Sequence, residues 1–216
     1  MLPKINRMRR FLVADDHAVV REGLKHILSE AFPCAIIGEV TNAEDLLKRA
    51  TSEKWDVVIT DISMPGRSGL EIVQQVKSAH PKLPFLVLSM HSEDQYAIRG
   101  LKAGASGYIS KEAAPAELVK AINQLLLGKK YITESIAEKL AGILDRDATK
   151  MLYEYLSDRE FEVFKLLATG KPVSEIAKKI FLSVSAVSTY RARIMVKMNF
   201  RTNADLTIYA IEQKLL

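Results

Sequence analysis

The chain is poor in several things, and each scarcity closes off a class of protein. It has one cysteine, Cys34, in 216 residues. No disulfide can form within it, so a disulfide-stapled scaffold is excluded, and a lone thiol fits a reducing cytoplasm. It has no long apolar run. Leu83 to Leu88, already broken by Pro84, falls far short of the roughly 20 apolar residues that span a bilayer, so no membrane association is expected. The first ten residues carry Lys4, Arg7, Arg9 and Arg10, but no apolar stretch with a small-residue cleavage site follows, so no secretory signal is read. There is no internal repeat and no low-complexity segment. Apolar and charged fractions of 48% and 26% are ordinary for a globular protein, which excludes the disordered and fibrous classes.

Acid is scarce in one place. The formal charge is +5, but residues 1–128 hold 16 basic and 15 acidic side chains, whereas the last 66 residues hold 10 and 7. Within that last block, Ile176 to Ala204 has no acid and six bases: Lys178, Lys179, Arg191, Arg193, Lys197 and Arg201. Such a stretch suits a polyphosphate backbone. A solvated basic face has the same composition, so charge alone leaves both readings open.

The first 128 residues alternate two patterns. Phe11–Ala14, Ala35–Ile37, Val57–Ile59, Phe85–Leu88 and, more weakly, Gly107–Ile109 are short apolar runs that read as buried strands. Between them lie apolar residues at helical spacing: Val20, Leu24, Ile27 and Leu28; Leu70, Val73 and Val76; Ile98 and Leu101; Leu118, Ile122, Leu125 and Leu126. Five strands alternating with five helices predict an α/β doubly wound, five-stranded parallel sheet with helices on both faces. Pro81 and Pro84 separate the third helix from the fourth strand, Pro115 marks a helix start and Gly128 a helix stop. Residues 129–152 read as a linker. Ile132, Ile136, Leu140 and Ile143 predict a short amphipathic helix in it, and Asp145 to Lys150 a flexible hinge.

The last 66 residues show no strand pattern and predict an all-α, four-helix domain. Ser157-Asp158-Arg159-Glu160 is a capping box that starts the first helix, and Gly170 stops it. A second helix begins near Ser174. After a turn over Phe181–Val184 a third is capped by Ser185, and a fourth starts near Asn203.

In a doubly wound sheet, ligands bind beyond the carboxyl ends of the strands. Asp15 and Asp16 follow the first strand and Asp61 the third; if those strands are neighbours, three carboxylates converge. They repel one another unless a hard divalent cation, typically Mg2+, lies among them. A carboxylate so placed can act as a nucleophile toward phosphorus and form an acyl phosphate. Lys111 and Ser89, after the fifth and fourth strands, offer a cation and a hydroxyl at the same edge. Singly, each has a plainer explanation: Asp15, Asp16, Asp61 and Ser89 as caps or turn residues, Lys111 as a surface lysine. Five such residues at one edge make coincidence the poorer account.

Val13-Ala14-Asp15-Asp16-His17, Thr60-Asp61-Ile62-Ser63-Met64-Pro65-Gly66, Ser89-Met90 and Gly107-Tyr108-Ile109-Ser110-Lys111 together resemble the receiver domain of two-component systems, over residues 8–128. The resemblance implies a flavodoxin-like receiver with Asp61 as phosphoacceptor for a histidine kinase. It implies Mg2+ held by Asp15, Asp16, Asp61 and the Ser63 carbonyl. Ser89 would be the switch hydroxyl, Lys111 the phosphate-pairing lysine, and Tyr108 a switch aromatic that turns inward.

In the third C-terminal helix, Val187, Tyr190, Ile194 and Met198 fall on one side and should pack inward. Ser188, Thr189, Ala192 and Val196 lie opposite, with Ser185 at the helix start. Arg191 and Arg193 flank that face, and Lys197 lies near its end. Small and polar residues with flanking cations suit base edges and phosphates; a plain four-helix interaction module is the competing reading. Leu156–Glu160, Leu167–Gly170, Glu175–Ala177, Leu182–Val187, Ile194, Lys197-Met198 and Arg201-Thr202 resemble the LuxR-type helix-turn-helix, over residues 153–216. Ala186, Ser188 and Tyr190 depart from that family's usual threonine, lysine and histidine. A receiver followed by this domain resembles the NarL/FixJ class of response regulators. The implied partners are a histidine kinase, DNA, a second copy of the chain and RNA polymerase, and the implied role is a transcription factor rather than a turnover enzyme. A phosphatase with an aspartyl-phosphate intermediate is the rival from enzymology. It needs a second acid near the nucleophile, and position 63 is a serine. A DNA-binding protein with a receiver that only dimerises is the other rival, and its expected mark, a lost acid or lysine, is absent.

Overall fold

The computed structural model describes residues 8–64, 67–90, 93–144 and 151–216. Pro65, Gly66 and the hinge expected at Asp145–Lys150 lie outside the described residues. The chain divides into two units, the first ending at Leu144 and the second beginning at Asp145.

In the first unit the apolar runs become β1 (Arg10–Ala14), β2 (Ile36–Val40), β3 (Val57–Asp61), β4 (Phe85–Ser89) and β5 (Gly107–Ser110). They alternate with α1 (Ala18–Ala31), α2 (Ala43–Ser52), α3 (Gly69–Ala79), α4 (Glu93–Lys102) and α5 (Pro115–Leu126). All strand pairs are parallel, in the order β2-β1-β3-β4-β5. Every residue of β3 and β4 is buried, as expected of central strands covered on both faces. One face of the sheet packs Phe11, Val13, Ile59, Leu86 and Leu88 against Leu24 and Leu28 of α1 and Leu118, Ile122 and Leu125 of α5. Each such side chain contributes about 1.5–3 kcal/mol on burial. Pro115 opens α5, and Gly128 follows it at φ +75°.

The second strand runs one residue later and three residues further than its apolar run predicts. As an edge strand it is half exposed, so Glu39 fits where a central strand would exclude it. Gly38 is there for space: a Cβ at that position would lie 2.4 Å from the Trp55 ring, which sits between the Arg10 and Arg49 guanidinium groups at 5.0 and 5.2 Å.

The connector begins as part of the sheet. Tyr131 forms a parallel bridge to Gly107 of β5, its amide donates to the Ser106 carbonyl at 2.8 Å, and its hydroxyl donates to Glu117 Oε1 at 3.0 Å. The amphipathic helix follows as α6 (Glu134–Leu144) and packs on α4, with Ile136 buried.

The second unit opens with a 3-10 turn at Leu152–Tyr155, then α7 (Asp158–Ala168), α8 (Val173–Lys179), α9 (Val184–Met198) and α10 (Asn203–Glu212). The Ser157/Glu160 capping box forms as read, and a second one, Thr202/Asp205, starts α10. Gly170 stops α7 at φ +79°. The cap of α9 is Ser183, not Ser185: its side chain accepts from the Ala186 amide at 3.1 Å. Ser185 therefore lies inside the first turn. Phe161, Phe164, Leu167, Ile176, Val187, Ile194, Met198, Leu206 and Ala210 form the core.

Candidate functional site

Because β1 and β3 are neighbours, the acids after them meet. Asp15 and Asp61 are buried, and Asp16 is only 14% exposed. Lys111, just past β5, reaches between them: Nζ lies 2.7 Å from Asp61 Oδ2 and 2.6 Å from Asp15 Oδ2. The Lys111 amide donates to the Ser89 carbonyl at 2.9 Å, which ties the ends of β4 and β5 together, and Ser89 is fully buried. The loop after Asp61 returns closely. Gly69 donates to the Ile62 carbonyl at 3.0 Å, and a Cβ on Gly69 would lie 2.3 Å from the Asp61 carbonyl oxygen.

Burial pushes the Asp61 carboxyl above its ordinary range, and the Asp15 charge adds to that; the Lys111 ammonium and the Ser63 amide oppose it. Burial draws Lys111 downward, but Asp61 and Asp15 outweigh it and hold the ammonium above its ordinary value. Lys111 is thus charged at any physiological pH, a fixed cation between two acids.

One ligand atom from each of Asp15, Asp16, His17 and Asp61 lies within 4.8 Å of the others. Asp16 Oδ1 is shielded from solvent and accepts no well-directed hydrogen bond, although His17 Nδ1 lies 3.0 Å away. A hard-oxygen cluster with an unsatisfied carboxylate oxygen fits a magnesium-sized ion. Reading the sequence missed two neighbours. His17 touches both Asp15 and Asp16, and Arg21 Nη1 donates to the Asp15 carbonyl at 2.8 Å. His17 follows the acid pair directly, and that adjacency was the available signal.

Tyr108 is completely buried, with its ring beside Gly100 of α4: a Cβ there would lie 3.9 Å from Tyr108 Cδ2. The ring thus lies where β5 packs against α4.

In the second unit α9 divides as the helical pattern predicts. Val187, Ile194 and Met198 are buried and Tyr190 is partly so, while Ser185, Ser188, Thr189, Ala192, Arg193 and Val196 are exposed. Two of the flanking cations are held within the domain. Arg191 Nε donates to Asn203 Oδ1 at 2.8 Å. Lys197 Nζ donates to Glu160 Oε2 at 2.6 Å, and Tyr155 O lies 3.4 Å from it. Glu160 Oε2 also accepts from the Ser157 amide at 2.7 Å. Burial would raise the Glu160 carboxyl, but Lys197 and Ser157 together hold it below the usual carboxylate range.

The chain matches the family described as the response regulator receiver domain over residues 11–123, and that of bacterial regulatory proteins of the LuxR family over 154–210. It belongs to the two-component response regulators. The order of its two domains is that of the NarL/FixJ class. This response regulator is 34% identical over 209 residues to the response regulator UvrY of Escherichia coli K12, covering 96% of each chain. It is 34% identical over 205 residues to the response regulator GacA of Pseudomonas aeruginosa, covering 94% of this chain and 96% of that one. A structure of RcsB from Salmonella enterica serovar Typhimurium, bound to a promoter with a phosphomimetic, aligns with a TM-score of 0.58 at 31% identity, covering 93% and 97% of the two chains. A structure of two RcsB dimers on two parallel DNAs aligns at 0.59 and 30%, covering 94% and 98%. Among the described residues no helix is long and apolar enough to cross a membrane.

Proposed function

We propose that this response regulator is a cytoplasmic transcription factor switched by phosphorylation of Asp61, with a receiver over 8–128, a linker over 129–152 and a DNA-binding domain over 153–216. The observation that carries the proposal is the Asp15–Lys111–Asp61 triad, buried at the carboxyl edge of a sheet whose chain continues into a LuxR-type domain. Asp61 Oδ attacks the phosphorus of a histidine kinase's phosphohistidine; the phosphorus–nitrogen bond breaks and the imidazole leaves. Lys111 shifts its pairing from Asp61 to a phosphoryl oxygen, and Ser89 turns its hydroxyl to a second one. Asp15, Asp16, Asp61 and the Ser63 carbonyl would hold Mg2+, which neutralises charge on the phosphoryl group. Movement of Ser89 reshapes the contact of Tyr108 with α4, a local charge event read by a packed element.

DNA is the partner of α9. Ser185, Ser188, Thr189 and Ala192 face base edges, Arg193 reaches phosphate, and Arg191 and Lys197 flank the face while bracing it to Asn203 and Glu160. Two copies bind together, because one small module rarely gives enough affinity. The exposed Ile208 and Ile211, one turn apart on α10, give that pairing an apolar surface. RNA polymerase is the downstream partner of the DNA-bound dimer. Its chemistry is that of a phosphoacceptor rather than a turnover enzyme: position 63, two residues after Asp61, where an aspartyl-phosphate phosphatase would carry its second acid, is a serine.

Intact mass after incubation with acetyl phosphate tests the switch. One added phosphoryl group is expected, dependent on magnesium and absent in Asp61→Ala. No adduct on folded protein, in an assay short enough to outrun hydrolysis, would leave the receiver as a dimerisation module only.

A further inference from the structure

The outward face of α9 has an unusual chemistry for a surface meant to read DNA. Along one side stand Ser185, Ser188, Thr189, Ala192 and Val196, all exposed, with Val196 at 82%. None is charged and none carries an amide. The side chains that make bidentate contacts to guanine or adenine are arginine, lysine, asparagine and glutamine. On α9 such groups stand only at the flanks, and Arg191 and Lys197 are turned aside onto Asn203 and Glu160.

Two of the three hydroxyls on this face are spoken for as donors. Ser188 Oγ donates to the Val184 carbonyl at 2.9 Å, and Thr189 Oγ1 donates to the Ser185 carbonyl at 3.0 Å. With Oγ1 bound back to its own helix, the Thr189 Cγ2 methyl is the part of that side chain left to the surface. Ala192 adds a second methyl, and Val196, one turn further along, adds an isopropyl group. Within the acid-free basic stretch Ile176 to Ala204 this makes a stripe of alkyl groups beside hydroxyls, those of Ser188 and Thr189, that donate back into the helix.

In the major groove one base presents an alkyl group of its own, the C5-methyl of thymine. We infer that α9 selects its operator by packing Thr189, Ala192 and Val196 against thymine methyls, so that each half-site is specified by thymines rather than by guanine contacts. This inference rests on the DNA-binding role proposed above and names the base class that role would recognise. Each methyl contact removes a small apolar group from water on both partners, and its loss costs roughly fourfold in affinity.

Uracil separates this reading from every hydrogen-bonding alternative, because it keeps the thymine pairing edge and O4 acceptor and lacks only the methyl. The full-length chain, treated with acetyl phosphate and magnesium, is used to select duplexes from a random pool. The selected duplexes are then resynthesised with uracil at each thymine in turn and titrated by fluorescence anisotropy. The expected result is thymine-containing half-sites, with a loss of roughly fourfold per methyl at two or three positions. In Thr189→Ser, which keeps the hydroxyl bond and removes one methyl, the penalty at one of those positions should fall to none, and in Ala192→Gly at another. Tight selective binding with equal affinity for thymine and uracil overturns the inference and leaves the DNA-binding role standing. A penalty that persists unchanged in both variants overturns it as well, by assigning the methyl effect to duplex shape. No binding to any duplex, with or without phosphorylation, overturns the DNA-binding role itself and the inference with it.

Discussion

Removing the Glu160 carboxylate tests how the second unit is held together. Its side chain is 4% exposed and Oε2 accepts from both the Ser157 amide and Lys197 Nζ. Glu160→Ala deletes half of the capping box, about 1 kcal/mol. It also deletes a charge-assisted bond to a lysine that is 41% exposed. Solvent screens that pair and re-solvates the freed ammonium, so it adds about 1 kcal/mol rather than the 3–5 of a fully buried pair. The total of about 2 kcal/mol predicts a fall in Tm on the order of 10 °C for a domain this small. The chain supplies its own control. Its single tryptophan, Trp55, lies in the first unit, so tryptophan fluorescence reports that unit alone, while circular dichroism at the helix band also follows the second. The helical transition should move and the Trp55 transition should not. The pH dependence has a definite sign. The Glu160 carboxyl is held below its unfolded value, so its contribution is complete above the ordinary glutamate range, near 4.3, and is lost as pH falls through the lower folded value. Glu160→Gln should therefore be less stable than the parent at pH 7 and equal to it in strong acid. Equal shifts in both transitions, or a difference that grows on acidification, would refute the reasoning.

Two further outcomes follow from the receiver. Lys111→Met leaves Asp15 and Asp61 buried together without their shared cation; Tm should fall without added metal and be raised by 10 mM-scale Mg2+ more than in the parent. Identical magnesium responses in the two proteins would count against the cluster as the ion's site. Gly69→Ala places a methyl against the Asp61 carbonyl, and the loop must shift at a cost of about 1–3 kcal/mol; the rate of phosphoryl uptake from acetyl phosphate should fall with it.

The sheet and its site were legible because burial on both faces leaves a plain mark. β3 and β4 open on unbroken apolar runs, Val57–Ile59 and Phe85–Leu88, and close on the strand-end residues Asp61 and Ser89. Pro115, Gly128, the Ser157 box and Gly170 marked helix ends by local chemistry that tertiary structure did not override. Legibility failed where the deciding contact is distant in sequence. β2 extends through Gly38 and Glu39 because it is an edge strand and because Trp55 fills the space above Gly38. Ser183 and Ser185 are equivalent caps by composition, and only the built turn shows which hydroxyl reaches an open amide. Lys197 read as a helix-face cation, and its partner Glu160 lies 37 residues away.

The bridge between Tyr131 and Gly107 has a practical consequence. β5 ends the sheet, and an end strand with bare amides and carbonyls is a template for pairing with other chains. Here Tyr131 occupies part of that edge, pinned by its hydroxyl to Glu117, and a Cβ on Gly107 would lie 3.1 Å from the Tyr131 Cβ and carbonyl oxygen. A receiver fragment cut after Gly128, where the helix stops, would uncover β5 and should self-associate. One cut after Leu144, which keeps the bridge and α6, should stay monomeric at the same concentration. The piece expected to behave as a freestanding protein is thus sixteen residues longer than the five strands and the five helices that alternate with them suggest.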